Sequence, residues 1–136
     1  MAEQENNLPV KAELDKLTEQ FKAALPPHIT VERFIRVVMT AVNGNPDLMA
    51  ADRRSLFESA MKSAQDGLLP DGREAAFVVY NTNIAPQGQP KNYIKKCQYL
   101  PMVWVIVKKV RNSGELATIA AHVVFENDEF TYALGD

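Results

Sequence analysis

Six basic residues, Lys91, Lys95, Lys96, Lys108, Lys109 and Arg111, fall between positions 91 and 111 with no acidic residue among them. Tyr93, Tyr99 and Trp104 are interleaved with them. Cations that track phosphates beside aromatic faces that stack on bases are the chemistry of single-stranded nucleic acid binding. From 115 to 136 the pattern inverts: Glu115, Glu126, Asp128, Glu129 and Asp136 are acidic and none is Lys or Arg. The net charge of −2 therefore averages two segregated segments, and segregation of this kind creates a local field that attracts a polyanion. Two readings stand side by side: phosphate contacts, or the solvated ends of strands and helices. The aromatics divide likewise, since Tyr99 and Trp104 suit either base stacking or a core position near strand ends, and for Trp104 the core is the better expectation.

Other chemistries lack their residues. No glycine-rich phosphate loop of the P-loop type occurs, so ATP-driven strand exchange has no support. His28 follows Pro26-Pro27 and His122 lies in a strand-like run, neither with a Ser, Cys or acid spaced for a triad. No catalysis, and no cofactor, is expected. Glu126, Asp128 and Glu129 beside a turn suit solubility better than a divalent cation. A single cysteine, Cys97, excludes an internal disulfide framework and fits a reducing compartment. The N-terminal residues lack the basic and apolar regions of an export signal, and the longest apolar run, Leu100 to Val107, is far below the ~20 residues that cross a bilayer. The expectation is a cytoplasmic protein without membrane passage, and 136 residues at 46% apolar content suit one folded unit.

The elements that must position these residues follow from periodicity. Leu14, Leu17, Phe21 and Leu25 recur at helical spacing until Pro26-Pro27. Thr30 suits an N-cap, with Glu32 in the first turn and Phe34, Val37, Val38, Ala41 and Val42 as the apolar stripe, ending at Asn43-Gly44-Asn45-Pro46. A third helix begins near Asp52 and buries Leu56, Phe57, Ala60, Met61 and Ala64. The run from Gln65 to Glu74 is then explicit punctuation: Gly67 can close the helix in a left-handed conformation, Pro70 fixes its own φ, and Asp71-Gly72 is a turn dipeptide. Beyond it the period shortens. Ala75 to Tyr80 reads as a strand, Asn81 to Asn92 as an exposed hairpin loop, and Tyr93 to Leu100 as the returning strand. Residues 101–111 are β-rich by propensity, but Pro101 suits a first helical turn; taken as a helix, Val103, Ile106, Val107 and Val110 face the core and Lys108, Lys109 and Arg111 face solvent. Leu116 to Phe125 and Phe130 to Leu134 read as two strands around a turn at Asn127-Asp128. Helices followed by a small antiparallel sheet with a helix packed on it make an α+β fold.

Three separated blocks carry a resemblance: Ile29 to Arg36, the junction through Pro70-Asp71-Gly72-Arg73-Glu74-Ala75, and Arg111-Asn112-Ser113-Gly114 through Phe130. In that order the chain resembles the RecT family of phage single-strand annealing proteins. The match begins near Pro27 and covers about the first half of a usual member. The resemblance implies an N-terminal helical segment (1–26) and a DNA-annealing core (27–136) that is truncated at its C-terminus. It further implies a non-enzymatic protein that binds single-stranded DNA and assembles into rings or helical filaments. Such a protein anneals complementary strands without ATP and works with a 5′-to-3′ exonuclease. On this chain the implied phosphate contacts are Arg73, Lys95, Lys96, Lys108, Lys109 and Arg111, with Tyr99 and Trp104 as candidates for stacking. One departure stands out, because Trp104 and Val105 replace a polar residue and a glycine of similar proteins. A truncated relative that does not anneal, and acts instead as an interaction or dominant-negative subunit, is the alternative expectation.

Overall fold

The computed structural model describes residues 8–115 and 120–133. Its elements run α1 (Leu8–Lys16), α2 (Thr18–Ala24), α3 (Val31–Asn43), α4 (Pro46–Ala50), α5 (Arg53–Asp66), β1 (Ala75–Asn83), β2 (Tyr93–Pro101) and α6 (Val103–Asn112). This is the expected α+β order.

Local chemistry sets the boundaries. The Thr30 hydroxyl accepts the Arg33 N–H at 3.3 Å to start α3, and the Asp52 carboxylate accepts the Ser55 N–H at 3.0 Å to start α5. Between them the expected loop holds the one-turn helix α4, with Asn45 capping the Asp47 N–H and Pro46 at its first position. Gly67 ends α5 at φ 66°, and the Leu68 N–H reaches back to the Ser63 carbonyl at 3.1 Å. A Cβ on Gly67 would lie 2.8 Å from Cγ of Pro26, so this glycine also permits the end of α2 to pack against the end of α5. One core joins both sides of that contact. Val10, Leu14 and Phe21 pack with Phe34, Val38 and Val42 of α3, Leu56, Ala60 and Ala64 of α5, and Phe77 and Cys97 of the sheet, and the rings of Phe21 and Phe34 lie 5.4 Å apart at a tilt.

The sheet is a single antiparallel hairpin in register Ala75↔Pro101 through Asn83↔Tyr93. Alternation sends Ala75, Phe77 and Cys97 into the core, with Val79 and Tyr99 packed against it. Ala76, Val78, Tyr80, Ile94, Lys96 and Leu100 occupy the other face. Three buried serines of α5 form a face that apolar periodicity does not disclose. Ser55 Oγ accepts the Cys97 N–H at 2.9 Å, Ser59 Oγ donates to the Cys97 carbonyl at 3.1 Å, and Ser63 donates to the Leu68 carbonyl. The Asp52 N–H donates to the Lys95 carbonyl at 2.8 Å. Thus α5 covers the outer edge of β2 as a third strand would. Cys97 spends its N–H and C=O on α5, so Cys97 and Val79 are a non-hydrogen-bonded pair, and the odd-numbered residues of β1 turn their polar backbone away from β2.

Three expectations are corrected downstream. Pro101 is the last residue of β2, paired with Ala75, rather than part of a helical first turn. The apolar stripe of α6 does not enter the core: none of its residues is buried, and Val103, Trp104 and Ile106 are exposed. In the described part of the C-terminal segment, 120–133, no strand forms; residues 116–119 and Leu134, the ends of the two expected strands, lie outside the described residues. The turn itself is present. The Asp128 N–H donates to the Phe125 carbonyl and the Asp128 carboxylate accepts the Phe125 N–H, both at 3.0 Å. A strand satisfies its backbone only through a partner, and 120–133 has none among the described residues.

Candidate nucleic-acid interface

The junction that precedes β1 and the helix that follows β2 meet at one end of the hairpin, because the Met102 N–H donates to the Glu74 carbonyl at 2.9 Å. Asp71 organises the turn by accepting the N–H groups of Arg73 (2.8 Å) and Glu74 (3.0 Å). Gly72, at φ 81°, donates to the Ala75 carbonyl. The Glu74 carboxylate turns inward to the Leu69 N–H at 2.9 Å, while Arg73 is exposed. That places an arginine beside the start of α6.

Helix α6 lies on the body by the face carrying Val105, Lys108, Lys109 and Asn112, which line a cleft of about 400 Å³ against His28, Asp66 and Gly67. Lys109 Nζ donates to the Asp66 carbonyl at 3.1 Å, a cation on the last turn of α5 where the helix dipole favours it. The Asp66 carboxylate accepts the Tyr99 hydroxyl at 2.8 Å. Burial first, then this hydrogen bond and the carboxylate charge, push the Tyr99 phenol well above its ordinary value. Asp66 therefore ties β2, α5 and α6 together. Since residues at helical spacing share a face, seating the helix by Val105, Lys109 and Asn112 leaves Val103 and Ile106 exposed with Trp104 and Arg111 beside them, while Val107 and Val110 are half-buried.

The six basic residues named from sequence do not form one patch. Arg73 lies on the junction and Lys108, Lys109 and Arg111 on α6, the element that meets it through Glu74 and Met102. Lys96 and Lys95 lie five and six residues up β2 from Pro101, roughly 17–20 Å away at strand rise, and alternation places them on opposite faces. Lys95 Nζ is 2.6 Å from the Asp47 carboxylate, and its carbonyl accepts the Asp52 N–H. Its geometry holds α4 and α5 against β2. Among the described residues, Arg73, Lys96, Lys108, Lys109 and Arg111 form no salt bridge. Tyr99 is half-buried with its hydroxyl engaged, whereas Trp104, expected in the core, is 77% exposed. His28 in the cleft was not singled out from sequence as a partner of the lysines; its position after the Pro-Pro break, where the chain returns past the end of α5, is the signal that places it there. Among the described residues no cluster of three metal-ligating side chains forms and no helix is long and apolar enough to cross a membrane.

Comparison with known proteins points in one direction. A family model described as the RecT family matches residues 32–136. Protein RecT of Escherichia coli strain K12 is 31% identical over 121 residues, which is 88% of this chain and 43% of that protein. The chain thus spans less than half the length of the curated relative it matches. No solved structure matches.

Proposed function

The chain belongs to the RecT family, and on that premise we propose that it binds single-stranded DNA through its phosphates and anneals complementary strands without ATP, as an oligomer. The observation that supports this reading is the set of exposed cations on two neighbouring elements, Arg73 at the junction and Lys108 and Arg111 on α6, in a protein whose overall charge is negative. Annealing needs a grip on phosphates that leaves base edges free to test a second strand, and non-specific cation contacts meet that need. Trp104, exposed one turn before Lys108, supplies a face on which a base can stack. No step of this reading breaks a covalent bond, so the protein acts as a binding module rather than an enzyme. It fits the cytoplasm of a bacterial host, with a 5′-to-3′ exonuclease supplying the single strand.

The salt dependence of binding tests it. All six cations on phosphates give a slope of log affinity against log salt of roughly −4, at about −0.7 per phosphate neutralised on a single strand. Lys95 and Lys109 already serve Asp47 and the end of α5, so four free cations give a slope of roughly −3. Fluorescence anisotropy with a labelled oligothymidine across a salt series measures this. Lys108→Glu with Arg111→Glu is expected to flatten the slope by more than one unit, and Lys95→Ala to leave it nearly unchanged. A salt-independent affinity, or an undiminished slope in the double variant, refutes the assignment.

A further inference from the structure

Helix α6 leaves part of its apolar stripe uncovered, with Val107 and Val110 half-buried and Val103 and Ile106 exposed. Val103 is 65% exposed, Ile106 47% and the neighbouring Trp104 77%. An exposed apolar patch is a feature of interaction surfaces, and this one is flanked by Arg111, with Lys108 beyond it at the cleft side of the helix. The same chain carries a second exposed surface of complementary character. In 120–133, Val123, Phe125, Phe130 and Tyr132 are each more than 60% exposed, and the rings of Phe130 and Tyr132 stack at 6.2 Å. Glu126, Asp128 and Glu129 surround its turn, and Asp128 is occupied with the Phe125 N–H, leaving Glu126 and Glu129 as the outward carboxylates.

We propose that the outward face of α6 receives the 120–133 turn segment of a second copy of this chain. Apolar side chains of the segment cover Val103, Ile106, Val107 and Val110, while Glu126 and Glu129 approach Lys108 and Arg111. Three observations select this occupant. The charges are opposite and segregated: residues 91–111 carry no acid and residues 115–136 no Lys or Arg. Copies with the same net charge of −2 can therefore still attract at this contact. The described residues 120–133 are exposed throughout, so no other described residue covers them. Finally, receptor and donor are different surfaces of one chain, which makes the contact heterologous and propagates assembly head to tail into a ring or filament. The inference specifies the contact behind the oligomer proposed above and does not depend on DNA binding.

Sedimentation of the full chain without DNA tests it, using Ile106→Asp as a receptor variant and Phe125→Ser as a donor variant. Both sites are exposed, so unchanged circular dichroism and melting serve as the control for folding. Each variant alone is expected to raise the assembly midpoint at least tenfold, the scale of losing a central anchor. A mixture of the two retains one intact contact per pair and is expected to stop at dimers. A charge exchange, Lys108→Glu and Arg111→Glu with Glu126→Lys and Glu129→Lys, is expected to restore assembly that either half alone weakens. A monomer at every concentration, equal assembly of variants and wild type, or a mixture that forms no dimers overturns the proposal. So does a paired-cysteine variant at 106 and 125 whose disulfide closes within one chain. DNA binding that survives with assembly lost, or the reverse, separates this contact from the DNA reading.

Discussion

Ser55 and Ser59 replace a neighbouring strand for Cys97, and their removal has a calculable consequence. Ser55→Ala takes the acceptor from the Cys97 N–H and Ser59→Ala takes the donor from the Cys97 carbonyl, both at buried sites. A buried polar group left without a partner costs about 1–3 kcal/mol. Alanine is the better helix former by roughly 0.5 kcal/mol at a mid-helix serine such as Ser59, and by less at Ser55 in the first turn, so propensity alone predicts stabilisation. The net expectation is a loss of about 0.5–2.5 kcal/mol for each variant, opposite in sign to the propensity effect. Ser55 stands at the upper end because its hydroxyl also donates to the Asp52 carbonyl at 2.7 Å. Urea unfolding followed by far-ultraviolet circular dichroism reads these values as a lower midpoint at unchanged slope. Lys62→Ala, exposed on the same helix, is the control and is expected within about 0.5 kcal/mol of wild type. Because both serines act on one residue, the double variant is expected to depart from additivity. If both single variants match or exceed wild-type stability, α5 does not close the sheet edge in solution.

Two further outcomes follow from the junction. Gly67→Ala is expected to destabilise the fold by more than the ~1–2 kcal/mol of a left-handed alanine, because the added methyl meets Pro26 at 2.8 Å; relieving the clash with Pro26→Ala in the same background recovers part of the loss in a melting experiment. Tyr99 makes stability sensitive to alkali. Its folded pKa is raised above the ordinary 10.0, so its contribution is intact below pH 10 and falls as pH rises above it, where the unfolded phenol ionises and the folded one does not. Tyr99→Phe is expected to flatten this part of the profile, and an unchanged alkaline slope refutes the Asp66 contact.

The legible parts of this fold are those written in local chemistry. Thr30, Asp52 and Gly67 stand where caps and a left-handed terminus require them, and the change of period after Glu74 marks the hairpin. The serine face of α5 was illegible because hydrophobic periodicity counts polar residues as solvent-facing, whereas these satisfy a strand edge that only the tertiary arrangement reveals. Helix α6 misled for a related reason. Its apolar stripe is unmistakable, but amphipathicity states which face needs covering, not which molecule covers it. The seat of the helix follows instead from Lys109 reaching the end of α5 and from the single residue that separates it from β2. For the cations, the sequence window named the right elements while concealing that alternation and Asp47 remove Lys95 from the group.

The orientation of α6 also bears on how annealing and assembly coexist. Lys108 and Arg111 are assigned both to phosphates and to the carboxylates of a neighbouring copy, so the two partners compete for the same charges. Salt weakens both contacts, and charge reversal strikes both, so neither perturbation distinguishes them. The apolar stripe does. Ile106 lies opposite the cleft and contributes nothing to phosphate attraction, so Ile106→Asp separates assembly from the exposed cations, apart from the one negative charge it adds. A smaller, uncharged polar side chain at the same site, Ile106→Thr, avoids that charge. If DNA displaces the neighbouring segment, Ile106→Thr is expected to strengthen the binding of a short oligonucleotide, since the competitor is lost while Arg73, Lys108 and Arg111 remain. If assembly instead builds the DNA site from adjacent copies, the same change weakens binding, most of all for long strands that cross several subunits. Affinity measured against strand length in wild type and Ile106→Thr therefore decides whether this helix face regulates access to DNA or creates it.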